Sequence, residues 1–97
     1  MWLLSTAQDA EFQFAFRILP GNTKVIGRAP GADFIVQAPL VSRLHCRVAA
    51  GATELEVVDL DSTNGTYVNG LRITRTGMHD GDRLGVGRVE FVVSRNA

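Results

Sequence analysis

The chain has one cysteine, Cys46, in 97 residues, so it can form neither an internal disulfide nor a cysteine-based zinc cluster. A lone thiol fits a reducing setting, and a cytoplasmic location is the expectation. No apolar run is long enough to cross a bilayer, so no membrane contact is expected. Trp2-Leu3-Leu4 turns polar at Ser5, too short for the apolar region of a secretory leader, and no basic segment precedes it. An excess of either charge is missing as well. Ten basic and ten acidic residues give a formal net charge of zero, which argues against a dedicated nucleic-acid binder. Lysine is almost absent, with Lys24 standing beside nine arginines. Arginine is the better partner for planar anions, although a genomic GC bias would produce the same preference. Helical periodicity, internal repeats, low-complexity tracts and linkers are all lacking, so a single domain over residues 1–97 is expected.

What is present is enough apolar surface to fold. The chain is 45% hydrophobic and 21% charged, ordinary for a globular domain and unlike a disordered one. The apolar residues alternate. Phe12, Phe14, Phe16 and Ile18 would share one face of an extended strand. Val25-Ile26, Phe34-Ile35-Val36, Cys46 to Ala50, Leu55 to Val58, Arg83 to Val86 and Val89 to Val93 are further short runs, punctuated by Pro20-Gly21, Pro30-Gly31, Gly51 and Asp80-Gly81. Thr66-Tyr67-Val68 and Leu71-Arg72-Ile73 flank Asn69-Gly70, a strong local hairpin signal. The pattern predicts an all-β sandwich or barrel of ten to eleven short, mostly antiparallel strands.

Three polar segments fall at strand ends: Gly27-Arg28, Ser42-Arg43-Leu44-His45 and Asp61 to Thr66, the last followed by Asn69-Gly70. Strand-end loops of a sandwich gather at its two ends, so distant segments can meet there. Arg28 and Arg43 offer guanidinium forks, Ser42 and Thr63 offer hydroxyls, and Asn64 offers an amide suited to a peptide backbone. These are the groups a phosphate on a peptide needs. Each residue also has a plainer reading. Arg28 could pair with Asp33, Ser42 could serve a turn, His45 could be a satisfied structural histidine, and Asn69-Gly70 is a turn former first. Cys46 reads as core filler.

Taken together, Gly27-Arg28, Ser42-Arg43-Leu44-His45, Thr63-Asn64-Gly65 and Asn69-Gly70, in this order, resemble the signature of the forkhead-associated (FHA) domain over roughly residues 23 to 93. Trp2-Leu3-Leu4 resembles the opening strand of some members. The resemblance implies an FHA-type β-sandwich that binds threonine-phosphorylated partners in Ser/Thr kinase signalling, with no cofactor. It implies that Arg28 binds the phosphate, Ser42 donates to it, Arg43 sits beside it, Thr63 lines the site and Asn64 holds the peptide main chain. It assigns loop architecture to Gly27, His45, Gly65, Asn69 and Gly70. It also implies selectivity for phosphothreonine over phosphoserine. The loop before Ser42, Gln37 to Val41, is uncharged where many members carry an acidic residue. An apolar preference a few residues after the phosphothreonine follows as an expectation.

Other functions fit less well. Ser42 and His45 with Asp59 or Asp61 could be a nucleophile, base and orienter, but no Gly-x-Ser-x-Gly elbow is present. His45 and His79 lack partners at metal-ligand spacing. Arg72, Arg75, Arg83 and Arg88 could track a nucleic-acid backbone, but Trp2 and Tyr67 are the only tryptophan and tyrosine available as stacking platforms. The runner-up is an FHA fold used as a phosphate-independent assembly module. A monomer is the default expectation.

Overall fold

The structure, a computed structural model, describes residues 1–96. Among them are eleven strands and no helix: β1 (Trp2–Ser5), β2 (Ala15–Ile18), β3 (Thr23–Gly27), β4 (Phe34–Ile35), β5 (Cys46–Ala50), β6 (Leu55–Asp59), β7 (Thr66–Val68), β8 (Leu71–Ile73), β9 (Arg75–Met78), β10 (Arg83–Val86) and β11 (Val89–Arg95). They form two sheets, one in the order β2-β1-β11-β10-β7-β8 and the other β4-β3-β5-β6-β9. The pairs are antiparallel except β3 with β4, which run parallel.

The period of two in the sequence becomes the sandwich interior. Cys46, Val48 and Ala50 of β5, with Leu55 and Val57 of β6, point inward from one sheet. Leu84 and Val86 of β10, Val89, Phe91 and Val93 of β11, and Trp2 and Leu4 of β1 meet them from the other. The edge strands β2 and β4 close one side through Phe16 and Phe34, whose rings stack at 4.4 Å. Phe91 lies 5.9 Å from Phe16 and 6.3 Å from Phe14, so one aromatic group spans both sheets. Trp2 is buried and still satisfied, because its indole N–H donates to the Gly51 carbonyl at 3.2 Å.

Three details differ from the alternation. Residues 12–18 do not make one strand. β2 starts at Ala15, because its partner β1 ends at Ser5, and before it Phe14 is tied to the Thr6 backbone and hydroxyl. Phe12 and Phe14 nevertheless pack on the core. Val36 lies outside β4, though its N–H still bonds the Gly27 carbonyl at 2.8 Å. Strand β9 has no counterpart in the sequence pattern. Arg75-Thr76-Gly77-Met78 shows no alternation, and the segment is a strand because β6 offers it a free edge. The Asn69-Gly70 hairpin has φ of 51° and 82°, the two positive values of a type I′ turn.

Phe91→Ala removes the ring at the centre of the aromatic group. It should cost about 3–5 kcal/mol, read as a lower urea midpoint with an unchanged slope. A loss under about 1 kcal/mol would mean that the ring is not buried between the sheets.

Candidate functional site

Register brings the candidate loops to one end of the sandwich. Ile26 stands opposite Cys46 and Cys46 opposite Asp59, so the chain leaves β3 and β6 and enters β5 side by side. On the facing sheet Thr66 opens β7 opposite Val86. The Thr66 hydroxyl donates to Asp59 Oδ1 at 2.7 Å and ties the two sheets together at this end.

His45 lies beneath the loops with no exposure. Its Nδ1 accepts the Ser42 N–H at 3.0 Å, and its Nε2 lies 2.9 Å from the Gly65 carbonyl. A donor on one side and an acceptor on the other fix the neutral ring with its proton on Nε2. The imidazole therefore joins the loop before β5 to the loop before β7. The same loops meet again above it, where the Thr63 N–H donates to Ser42 Oγ at 3.0 Å and Asn64 Nδ2 donates to the Leu40 carbonyl at 3.2 Å. Ser42 Oγ accepts that bond and keeps its own hydrogen for a ligand.

Arg28 is exposed, and its Nε donates to the Val41 carbonyl at 3.1 Å. That bond orients the guanidinium and leaves its terminal nitrogens for an anion. Asp33, the alternative partner, instead accepts the Val25 N–H at 2.8 Å. Among the described residues neither Arg28 nor Arg43 is ion-paired; the paired arginines are Arg75, Arg83 and Arg88. A cavity of about 500 Å³ lies between Ala29-Pro30 and Gln37-Ala38-Pro39, and Arg28 and Arg43 help to line it. Gly27 is needed for space: a Cβ there would run into the Arg43 carbonyl oxygen and stand 2.8 Å from its carbon.

Asp59 organises the third segment. It accepts the Ser62 hydroxyl at 2.6 Å, the Ser62 N–H at 3.3 Å and the Thr66 hydroxyl at 2.7 Å. The Ser62 hydroxyl oxygen in turn accepts the Gly65 N–H at 3.0 Å. Burial works to raise the Asp59 pKa, but the bonds from Ser62 and Thr66 outweigh it and hold the carboxyl below its ordinary 3.8. The neighbouring Cys46 thiol is pushed up to about 12, first by burial and then by the Asp59 charge, so it is inert.

Residues outside the signature motifs also shape the site. Leu40 holds φ of 69°, a region leucine rarely enters, with its side chain 55% exposed and its carbonyl on Asn64. Gly87, in the β10–β11 turn, packs against this loop; a Cβ there would stand 2.8 Å from the Pro39 carbonyl oxygen and 2.9 Å from the Leu40 carbonyl carbon. Asp59 with Ser62 is a short-range polar pair that the spacing could have revealed. Ser42 and His45 do not form a nucleophile–base pair. The imidazole holds the Ser42 backbone N–H, and the Ser42 hydroxyl faces Thr63. Asn69 and Gly70 lie away from the other candidates, at the opposite end of β7, where Asn69 Oδ1 accepts the Arg83 N–H at 2.9 Å.

Comparison with known proteins supplies the context. The family model for the FHA domain matches residues 24–87. The oxoglutarate dehydrogenase inhibitor of Corynebacterium glutamicum is 36% identical over 75 residues, 77% of this chain and 52% of that protein. The ABC transporter ATP-binding/permease protein Rv1747 of Mycobacterium tuberculosis is 36% identical over 74 residues, 76% of this chain and 9% of that protein. The chain thus spans about half the length of the first relative and far less of the second. The FHA domain of the CT664 protein from Chlamydia trachomatis superposes with a TM-score of 0.90 at 25% identity, over 99% of this chain and 98% of that one. An FHA domain solved in a study of phosphothreonine-dependent FHA interactions gives 0.82 at 28% identity, over 99% and 97%.

Asp59→Asn keeps the shape but puts an amide among donors. It should cost about 1–3 kcal/mol and loosen the 62–66 loop. Because the folded carboxyl titrates below its ordinary value, its contribution is present above pH 3.8 and is lost as pH falls through the lower folded pKa. Urea midpoints of wild type and variant should therefore differ at neutral pH and converge in acid. A constant gap across that range would show that Asp59 is not stabilised as a carboxylate.

Proposed function

The chain belongs to the FHA-domain family, and we propose that it is a non-catalytic module that reads phosphothreonine on a protein partner. The observation that carries this reading is the convergence of Arg28, Arg43 and Ser42 on one loop surface. Two guanidinium groups without carboxylate partners among the described residues border one cavity, and the Arg28 N–H is bonded to the carbonyl of Ser42, whose hydroxyl keeps a hydrogen to give. A phosphate on a peptide satisfies all of them, and Asn64 keeps an amide oxygen for the main chain beside it.

In this reading Arg28 grips the phosphate, Ser42 donates to one of its oxygens, and Arg43 sits beside it, on the phosphate or the peptide backbone. Thr63 lines the binding site through its hydroxyl or backbone amide. Gly27, His45 and Gly65 hold the loops at the required spacing, and Asn69-Gly70 sets a remote hairpin. Leu40, presented to solvent beside Asn64, supports an apolar preference a few residues after the phosphothreonine. Such a module acts as a reversible adaptor, engaged when a Ser/Thr kinase modifies the partner and released when a phosphatase acts.

Three versions of one degenerate peptide library test this directly. The phosphothreonine version should bind at micromolar strength, on the order of −8 kcal/mol, well ahead of phosphoserine and unphosphorylated versions. Arg28→Ala should weaken binding at least roughly tenfold, since a charge-assisted bond contributes about 1.5–3 kcal/mol. The second phosphate pKa is near 6, so affinity should fall as pH drops through that range. Equal binding of all three versions would sink the reading and leave a phosphate-independent assembly module.

A further inference from the structure

We propose that Arg72 forms a second anion subsite, which takes a carboxylate or a second phosphate on the same phosphopeptide. The inference rests on the phosphothreonine reading and adds a determinant of which peptides are preferred.

Arg72 stands on β8 opposite Tyr67 of β7, so strand pairing fixes where its side chain leaves the sheet. That side chain leans over Gly65. A Cβ on Gly65 would stand 2.8 Å from the Arg72 Nε, 3.1 Å from Cζ and 3.2 Å from Cδ. Gly65 therefore has its carbonyl on the buried His45 ring and its Cα under the Arg72 guanidinium. Its φ of 88° disfavours a side chain, and Arg72 would have to shift to admit one.

The guanidinium lies over Gly65 without a charged partner among the described residues. Arg72 is exposed, and among the described residues it pairs with no carboxylate and donates to no protein acceptor. Arg75, Arg83 and Arg88 are instead matched with Glu56, Glu90 and Glu11. Its donors face solvent, and a planar fork of this kind favours a planar anion over a neutral group. Its position is tied to the primary site, because Gly65 directly follows Asn64. A peptide whose main chain lies against Asn64 passes the guanidinium within a few residues of its phosphothreonine. Leu40 meets the 63–65 loop through Asn64 and Arg72 meets it at Gly65, so an apolar and an acidic preference can occupy different peptide positions.

The test is fluorescence anisotropy with phosphothreonine peptides flanked by alanine, a single aspartate being walked through every flanking position. At one position aspartate should strengthen wild-type binding roughly three- to tenfold. Arg72→Gln should lose that gain while binding the all-alanine phosphopeptide as wild type does. Arg72→Lys should recover part of it, since charge returns without the fork. Replacing that aspartate by a second phosphothreonine separates the two sources, the larger gain naming the preferred anion. The subsite is overturned if no flanking position responds, or if Arg72→Gln weakens the all-alanine phosphopeptide as much as the acidic one, which would mark a structural role for Arg72. Wild-type protein that binds no phosphopeptide at all would instead overturn the phosphothreonine reading beneath it.

Discussion

A neutral imidazole with a donor on one side and an acceptor on the other sets the spacing on which the loop surface depends. The His45 ring bonds the Ser42 N–H and the Gly65 carbonyl from a position closed to solvent. Inside protein such bonds are stronger than in water, and an unmatched ring nitrogen would be costly, so the ring tolerates little displacement. Everything above inherits its position. Ser42 stands where Thr63 can bond its hydroxyl, and Gly65 stands where Arg72 can cover it. The histidine does its work without proton transfer, which is why a serine and a histidine three residues apart here make a scaffold and not a catalytic pair.

Close approach is the second constraint. Gly27 lets the end of β3 lie against the Arg43 backbone, and Gly87 lets the β10–β11 turn lie against residues 39–41. Between these contacts Leu40 is kept in a left-handed conformation that leucine ordinarily avoids, with its side chain outward. Strain of this kind persists only where surrounding contacts over-determine the backbone. Here the Asn64 amide and the Gly87 turn supply those contacts, so the apolar group is displayed on a stiff support.

Charge is distributed to the same end. With no net charge, the protein has little long-range attraction for anions, and selectivity has to come from local arrangement. Arg75, Arg83 and Arg88 stand beside carboxylates; Arg28, Arg43 and Arg72, which border the loops, have no carboxylate partner among the described residues, and neither do Arg17, Arg47 and Arg95. Asp59, at the end of β6, is occupied by Ser62 and Thr66 and serves as a brace.

The sequence by itself determined the all-β character, because alternation of apolar residues is a local property that survives any arrangement of strands. It also determined the Asn69-Gly70 hairpin, whose two positive φ values follow from residue type. The polar segments at Arg28, Ser42 to His45 and Thr63 to Gly65 were legible as candidates, since such residues at strand ends have few structural reasons to recur together. Tertiary structure decided the rest. β9 exists only because β6 leaves an edge, and β2 starts only at Ala15, where β1 runs out. Whether Arg28 would spend itself on Asp33 depended on where Val25 N–H pointed, which no local pattern encodes. The strained Leu40, the approach of Gly87 and the placing of Arg72 over Gly65 each join segments remote in sequence. They are set by strand register across both sheets, a global quantity that one residue's chemistry cannot specify.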